Sequence, residues 1–266
     1  MTNVVQYRGD TTNRGNSATI WYDCPWLEIF SGTVDGTLLY DNFDTGGLIT
    51  APTTIAALGG GVPWSGFSSS ASQVTHDDAS GIVLAETTVN EATNIFQNQH
   101  PFFISSTSGG LWFEARIKLS HTATTENSWF VGLMDTTTTT ATVPLTATGA
   151  LADANLIGFH KPEANTTAFD ASHKADGQTV VEDNSDIGTI VAATYFKVGF
   201  KHNADTDLVS YYVDGVEQAN TVSSATATTF PNAAGDALGV VIALAVGAAE
   251  SDNTLTCDWI RVAHVY

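Results

Sequence analysis

The chain has 266 residues, a length that suits one large β-sandwich domain or two small domains. Only 14% of the residues are charged, against roughly 25% in typical soluble domains, and the formal net charge is −19, from 28 acidic and nine basic side chains. The basic residues are scattered without a run, and such an acidic surface repels phosphate backbones and anionic lipid headgroups, so we expect neither nucleic-acid nor membrane binding.

The N-terminal residues have the character of an arm. Residues 2–17 are polar and contain no apolar stretch of signal-peptide length, so we expect synthesis and folding in the cytoplasm without secretion. The aromatic segment that follows, "ATIWYDCPWLEIFSGTVDG", is too short to hold its own core and must pack on its own sandwich or on a neighbour. We predict an arm over residues 1–36 and a main domain over 37–266. The expected interface residues of the arm are Trp21, Tyr22, Pro25, Trp26, Ile29 and Phe30.

Strand signals dominate the rest of the chain. Short helical turns are predicted only near residues 52–60 and 90–99, the latter reading "NEATNIFQNQ". In "GGLWFEARIKLSH" the even-numbered residues 112–118 and the odd-numbered residues 113–119 fall on opposite faces of a strand, and the odd face is apolar. Further runs rich in β-branched and aromatic residues follow, among them "SWFVGLMD", "NLIGFHK", "YFKVGFKHN", "LVSYYVDGVEQA" and "ALGVVIALAVGA".

Two turns between these runs can be recognised from their residue types. The segment "HNADTD", residues 202–207, connects two strands, and Asp214-Gly215 is a strong two-residue hairpin signal because both residue types tolerate positive φ. Many short strands without intervening helices predict an all-β fold, an antiparallel sandwich or barrel.

Three stretches together resemble a known superfamily. "LLYDNFDTGG" (residues 38–47) is similar to the opening strand of concanavalin A-like lectin and glucanase jelly rolls, "LVSYYVDGVE" to a hairpin of that superfamily, and "CDWIRVAHVY" to its closing strand. The resemblance, which extends to laminin-G-like domains, covers about residues 38–266 and implies an antiparallel β-sandwich jelly roll, here with an N-terminal extended arm. An acidic, Thr- and Ala-rich jelly roll with an aromatic arm also resembles the capsid decoration (cement) and virion surface proteins of tailed bacteriophages.

The closing strand in that superfamily runs up the middle of one sheet beside the first strand. Strict alternation puts Leu255, Cys257, Trp259 and Val265 on one face and Ile260, Val262 and Tyr266 on the other. Both faces are therefore apolar, and we expect the outer face to be covered by residues 21–30 of the arm or by a second subunit.

Catalytic motifs are missing from the sequence. The related hydrolases carry a Glu-x-Asp-x-x-Glu strand whose carboxylates act as nucleophile and acid. Here only Glu250 and Asp252 have the first spacing, and the third position is Leu255. Gly-x-Ser-x-Gly, phosphate-loop and paired-histidine motifs are also missing. We expect a protein that is not an enzyme and has no cofactor.

One metal alternative stays open in the turn after residue 202. Asn203, Asp205 and Asp207 alternate oxygen ligands of the kind that calcium needs, although Asn and Asp are also default turn residues. Cys24 and Cys257 are the only cysteines, which excludes a disulfide framework and a cysteine-based zinc site. We expect both to be buried as small apolar side chains.

Aromatic doublets recur along the strands, and neighbouring residues of a strand point to opposite faces. One ring of each doublet is therefore expected in the core. The other ring would either stack on a sugar or be covered by a loop or a partner chain, and we favour coverage. The candidate sugar-stacking rings are Trp112, Trp129 and Tyr211.

Two functions of different classes follow from these observations. The resemblance to virion proteins implies a non-enzymatic structural protein of a bacteriophage, made in the host cytoplasm, that decorates and cements the capsid surface. Its partners would be the major capsid protein and other copies of itself, in a homotrimer at a local threefold axis. The alternative is a carbohydrate-binding, lectin-like module of a phage fibre or surface adhesin, with surface glycans as ligands.

Overall fold

The chain folds almost entirely into β-structure. The computed structural model describes residues 15–43, 49–50, 56–57, 64–68, 73–76, 81–97, 99–105, 109–121, 127–135, 144–146, 149–165, 167–224, 228–232, 236–247 and 253–266. Within these ranges the chain forms seventeen strands and two short helices, and every strand pair is antiparallel. The all-β prediction is confirmed.

One of the two sheets, which we call the A sheet, holds the first and the last strand. Its strands are β1 (Gly36–Asp41), β2 (Ile49–Thr50), β5 (Gln73–His76), β6 (Ile82–Glu86), β8 (Gly110–Leu119), β13 (Phe196–Asn203), β14 (Leu208–Val213), β15 (Val216–Ser223) and β17 (Asn253–Val265). They lie in the order β15-β14-β13-β8-β17-β6-β5-β2. On the side of β17 away from β8, β6 pairs with its first half and β1 with its second half. The closing strand therefore lies beside the first strand, as the resemblance predicted.

The second sheet, the B sheet, packs against the A sheet. Its strands are β3 (Ala56–Ala57), β4 (Trp64–Ser68), β7 (Glu91–Gln97), β9 (Asn127–Met134), β10 (Leu156–Lys161), β11 (Ala168–Lys174), β12 (Val181–Thr189) and β16 (Gly239–Val246). They lie in the order β12-β11-β10-β9-β16-β7-β4-β3. Inward-facing side chains of both sheets form one large core, in which Phe200 of the A sheet lies 6.5 Å from Phe159 of the B sheet, measured between ring centroids. The two layers form the predicted antiparallel sandwich.

Local sequence patterns determine several strands and turns as predicted. In β8 the odd-numbered residues 113–119 lie in the core and the even-numbered residues lie on the outer face of the A sheet. Asp214 and Gly215 join β14 to β15 with φ values of 49° and 78°, the left-handed conformation of a two-residue hairpin turn. Cys24 and Cys257 are both buried and free, as expected.

Neither predicted helical turn is found in the described residues. Residues 91–97 form β7, paired between β16 and β4, where a helical turn was predicted, because Ile95 faces the core between the sheets and Ala92 and Phe96 are buried in a second cluster on the opposite face. Of the stretch near residues 52–60, only Ala56–Ala57 is described, and it is a strand.

The predicted faces of β17 are wrong beyond Cys257, because a bulge between Cys257 and Trp259 shifts the alternation by one residue. Ile260 and Val262 consequently join Cys257 in the core, while Trp259 faces outward.

Two short helices precede the sandwich. They are α1 (Ala18–Trp21) and α2 (Trp26–Ser31), and α2 ends at Gly32, whose φ of 71° is the left-handed conformation common after a helix. No helix in the described part of the chain is long and apolar enough to span a bilayer.

Candidate functional site

The arm packs on the outer face of the A sheet. Its inward side chains and the sheet residues beneath them form a separate apolar cluster of Ile20, Trp21, Cys24, Ile29, Trp112, Tyr212 and Ala263. Trp21 also packs against Trp26, with 4.6 Å between ring centroids. The arm of the same chain thus covers the outer face of β17 in its second half, at Ala263 and Val265.

A buried carboxylate fixes the first part of the arm. Glu114, on β8, is fully buried, and its two oxygens accept hydrogen bonds from the Ser17 backbone N–H at 3.0 and 3.2 Å. The indole Nε1 of Trp21 donates to the same carboxylate at 2.7 Å. Burial raises the pKa of Glu114, and the hydrogen bonds from Ser17 and Trp21 oppose that rise. The carboxylate therefore acts as an acceptor that anchors the arm.

A second carboxylate fixes the turn between the two helices. Asp23 accepts a hydrogen bond from Nε1 of Trp112 at 3.0 Å and forms an ion pair with Lys201 on β13. Upstream, Lys197 donates to the backbone oxygen of Gly15 at 3.2 Å. These contacts hold the arm to the sheet at several points along its length. The sequence analysis did not identify Glu114 as a site residue. The one available signal was that it is an acidic residue on the same face of the strand as Trp112.

The outer face of the A sheet also collects most of the basic residues. Seven of the nine lysines and arginines lie in the described ranges, and five of these belong to β8, β13 and β17. They are Arg116, Lys118, Lys197, Lys201 and Arg261, all on the outer face. Residues that are scattered in sequence therefore become neighbours, because these three strands are adjacent in the sheet.

The outward side of the arm presents three large apolar side chains to solvent. Tyr22 is 77% exposed, Leu27 is 74% exposed and Phe30 is 71% exposed. Leu27 and Phe30 are three residues apart in α2 and hence adjacent on its surface. We call Tyr22, Leu27 and Phe30 the arm patch. Of the six predicted interface residues, Trp21 and Ile29 point into the arm–sheet cluster, Pro25 and Trp26 are half-buried, and Tyr22 and Phe30 belong to the patch.

The three rings predicted to stack on sugars are all buried, so that assignment is wrong. Trp112 is 5% exposed because the arm covers it, and Trp129 and Tyr211 are fully buried between the sheets. The hydroxyl of Tyr211 donates to Asp183 at 2.5 Å and so links β14 of one sheet to β12 of the other. Coverage, the favoured alternative, is what the structure shows for Trp112, whereas Trp129 and Tyr211 are the core rings of their doublets.

A shallow cleft of about 190 Å³ opens where the arm meets the β13–β15 hairpins. Its lining residues are Tyr22, Lys201, Asn203, Thr206, Leu208, Ser210, Tyr212 and Glu217. Lys201 Nζ lies 5.0 Å from the centroid of the Tyr22 ring. The cleft thus combines one exposed aromatic ring with amide, hydroxyl, ammonium and carboxylate groups.

Two of the three predicted calcium ligands in the neighbouring turn, Asn203 and Asp207, are engaged with protein donors. Asn203 Oδ1 accepts the backbone N–H groups of Asp205 at 2.9 Å and of Thr206 at 3.3 Å. Asp207 is hydrogen-bonded to Ser224 and lies 3.3 Å from Nε2 of His202. Across the residues that the structure describes, no three His, Cys, Asp or Glu side chains are placed to share a metal ion. The calcium prediction gains no support here.

The one carboxylate pair considered for catalysis, Glu250 and Asp252, lies outside the described residues.

Buried histidines should make the folded protein sensitive to acid. Burial lowers the pKa of His160 and that of His264 from 6.5 to about 4. The unfolded chain therefore takes up protons that the folded chain does not, so the free energy of unfolding falls as the pH drops from 6.5 towards 4. The loss reaches about 3 kcal/mol for each histidine. Urea unfolding across this range should show a weaker pH dependence for His160→Gln, and equal slopes for variant and parent would contradict the prediction.

Comparison with known proteins identifies the fold. No family model and no curated protein matches the sequence. Among solved structures, the chain is similar to peanut lectin in complex with a peptide, with a TM-score of 0.55 and 11% identity over 86% of this chain and 97% of that one. It is also similar to a glycoside hydrolase family protein from Mycobacterium thermorestibile, with a TM-score of 0.56 and 16% identity over 85% and 100% of the two chains.

A third similar structure is a protein of unknown function from Shewanella oneidensis, with a TM-score of 0.53 and 14% identity over 91% of this chain and 94% of that one. At such identities the likeness shows the fold alone. That fold is the concanavalin A-like jelly roll, and it is shared by proteins described as lectins and by proteins described as glycoside hydrolases.

Proposed function

We propose that this protein is a non-enzymatic structural component of a bacteriophage virion, which decorates the capsid surface and binds the coat lattice through the arm patch. The observation that carries the proposal is that the patch is exposed on a segment fixed to the sandwich. Each of the three patch residues is more than 70% exposed, while their neighbours Trp21 and Ile29 are buried. Large exposed apolar groups on an ordered surface are typical of binding sites.

The fixed geometry of the arm supports a binding role over a flexible linker role. Glu114 and Asp23 hold the backbone that carries the patch, so little conformational entropy is lost when a partner binds it. A protein that binds the assembled lattice more tightly than free coat subunits stabilises the shell by mass action. In this proposal the protein acts as a homotrimer at local threefold axes and the partner is the major capsid protein.

The arm patch should be required for binding to the coat. We expect Leu27→Ser/Phe30→Ser to lose at least about tenfold in affinity for capsid shells assembled without this protein, because it removes the apolar centre of the contact. Both side chains are exposed, so the fold should be unaffected. Co-sedimentation with shells measures binding, and light scattering measures the mass of the free protein. Val191→Ser, at another exposed apolar position, is the control. If the parent protein fails to bind shells at any salt concentration, the proposal is wrong.

A carbohydrate-binding role is the second candidate, and the cleft beside the arm is the observation that favours it. The cleft is smaller than the 300–1,000 Å³ typical of drug-sized sites and has the size for one sugar ring. The Tyr22 ring is exposed for stacking, and Asn203, Ser210 and Glu217 provide donors and acceptors for hydroxyl groups. This site replaces the buried rings that sequence reasoning had proposed.

Glycan binding at the cleft should depend on the Tyr22 ring. We expect Tyr22→Ala to reduce binding on a glycan array by about tenfold or more, and Tyr22→Phe to retain it, since stacking needs the ring and not the hydroxyl. Phe30→Ala is the matched control, because it removes an exposed ring of the same arm that does not line the cleft. An array without signal for the intact protein would count against this candidate and leave the coat-binding proposal unaffected.

A further inference from the structure

We infer that the arm patch binds a partner surface in which an apolar groove is bordered by lysine or arginine side chains. The inference rests on the proposed function and specifies the chemistry of the partner. It follows from the charged side chains beside the patch and from the positions of this chain's own lysine and arginine side chains.

The helix that carries Leu27 and Phe30 is acidic, whereas Tyr22, at the other end of the patch, lies beside Lys201. Glu28 lies between Leu27 and Phe30 in the sequence of α2, and both Glu28 and Asp35 are exposed. Residues 15–35 contain no lysine or arginine. A partner that covers Leu27 and Phe30 therefore approaches the Glu28 carboxylate on the same short helix, and basic side chains at the rim of its groove would both attract the arm and fix its orientation.

The described residues of a second copy do not offer such a surface. Five of the seven described lysines and arginines are buried: Arg116, Lys161, Lys174, Lys197 and Lys201. The other two lie over aromatic rings, Lys118 with its Nζ 4.6 Å from the Tyr195 centroid and Arg261 with its Cζ 4.6 Å from the Tyr40 centroid. The accessible surface of the described residues is accordingly acidic, in keeping with a net charge of −19 for the chain. Two arm patches brought together would repel each other, so a second copy is the wrong occupant.

The apolar side chains of the patch further restrict the class of partner that can bind it. Nucleic acid and anionic lipid are repelled by Glu28 and Asp35. A free cation would not cover Leu27 and Phe30, which are both more than 70% exposed. A protein groove that is apolar at its centre and basic at its rim satisfies both features of the patch.

Two charge-matched peptides test this inference on the full chain. The probes are an amphipathic helical peptide of leucine and lysine and its counterpart of leucine and glutamate, titrated by calorimetry. We expect the lysine peptide to bind the parent protein about tenfold more tightly than it binds Leu27→Ser/Phe30→Ser, which keeps every charge, or Glu28→Gln/Asp35→Asn, which keeps every apolar group. Its affinity should fall with added salt, and the glutamate peptide should not bind.

Three results would overturn the inference. Equal binding of the lysine peptide to Leu27→Ser/Phe30→Ser would mean that it senses only the overall negative charge. Equal binding to Glu28→Gln/Asp35→Asn would mean that the rim charges are not recognised. Light scattering that shows parent dimers, lost in Leu27→Ser/Phe30→Ser, would identify a second copy as the occupant. Applied to capsid shells, the same variants separate the two proposals: loss on the serine pair alone keeps the proposed function and rejects this inference, whereas loss on neither rejects the proposed function.

Discussion

Trp21→Ala is expected to release the arm from the sandwich without unfolding the sandwich. Trp21 is buried against Trp26 and the outer face of the A sheet, and truncating a buried tryptophan to alanine costs about 3–5 kcal/mol. The substitution also removes the 2.7 Å hydrogen bond to the buried Glu114 carboxylate, which would then keep only the Ser17 N–H. Both losses fall on the contact between arm and sheet, so docking of the arm should become marginal.

Hydrogen exchange separates this local release from global unfolding. The amide of Tyr22, which donates to Ala18 at 2.9 Å, should exchange about a hundredfold faster or more, while the amides of β16 keep their protection. Phe30→Ala removes another aromatic ring from the same arm, but one that is 71% exposed, and should leave both sets of amides unchanged. Unaltered exchange of the Tyr22 amide in Trp21→Ala would show that the arm is held mainly elsewhere.

Trp129→Ala is expected to destabilise the whole sandwich. The indole is fully buried between the sheets, where it packs 5.3 Å from Phe169 and 6.1 Å from Phe196, measured between ring centroids. The surrounding strands are hydrogen-bonded on both sides, so they cannot collapse fully into the space left by the ring. We expect a loss of about 3–5 kcal/mol, a large part of the 5–15 kcal/mol typical of a folded domain.

Equilibrium unfolding in urea and thermal melting measure this loss. The melting temperature should drop by about 10 °C or more, and Trp129→Phe, which keeps a ring in the core, should lose much less. A Trp129→Ala protein of parental stability would mean that the indole is not packed as described. Any loss of binding by this variant would report lost folding, so it is unsuited to testing a sugar site.

These two substitutions affect separate contacts, so their effects should add. Trp21 belongs to the arm–sheet cluster and Trp129 to the core between the sheets, and the two clusters share no residue. A double variant should therefore show the early exchange of the arm and the lowered melting temperature together, each of the size seen in the single variant.

The sequence by itself determined the fold class, the position of the closing strand and several turns. Period-two alternation of apolar residues in β8 specifies which face is buried, because a strand sends successive side chains to opposite sides. Asp214-Gly215 specifies a hairpin because both residues tolerate positive φ. The need for a cover over the outer face of β17, and the aromatic arm as its source, could also be read from residues 21–30.

Only the tertiary structure decided which side chains stay accessible and which charges become neighbours. The bulge at Asp258 reverses the faces of the rest of β17, and no local residue pattern marked it. Trp112 lies on the outer face as alternation requires, but the arm, far away in sequence, buries it and leaves Tyr22, Leu27 and Phe30 exposed instead. The basic residues on the outer face of the A sheet meet because β8, β13 and β17 pair laterally. Exposure and charge clustering depend on contacts between distant segments, and these form only when the chain is folded.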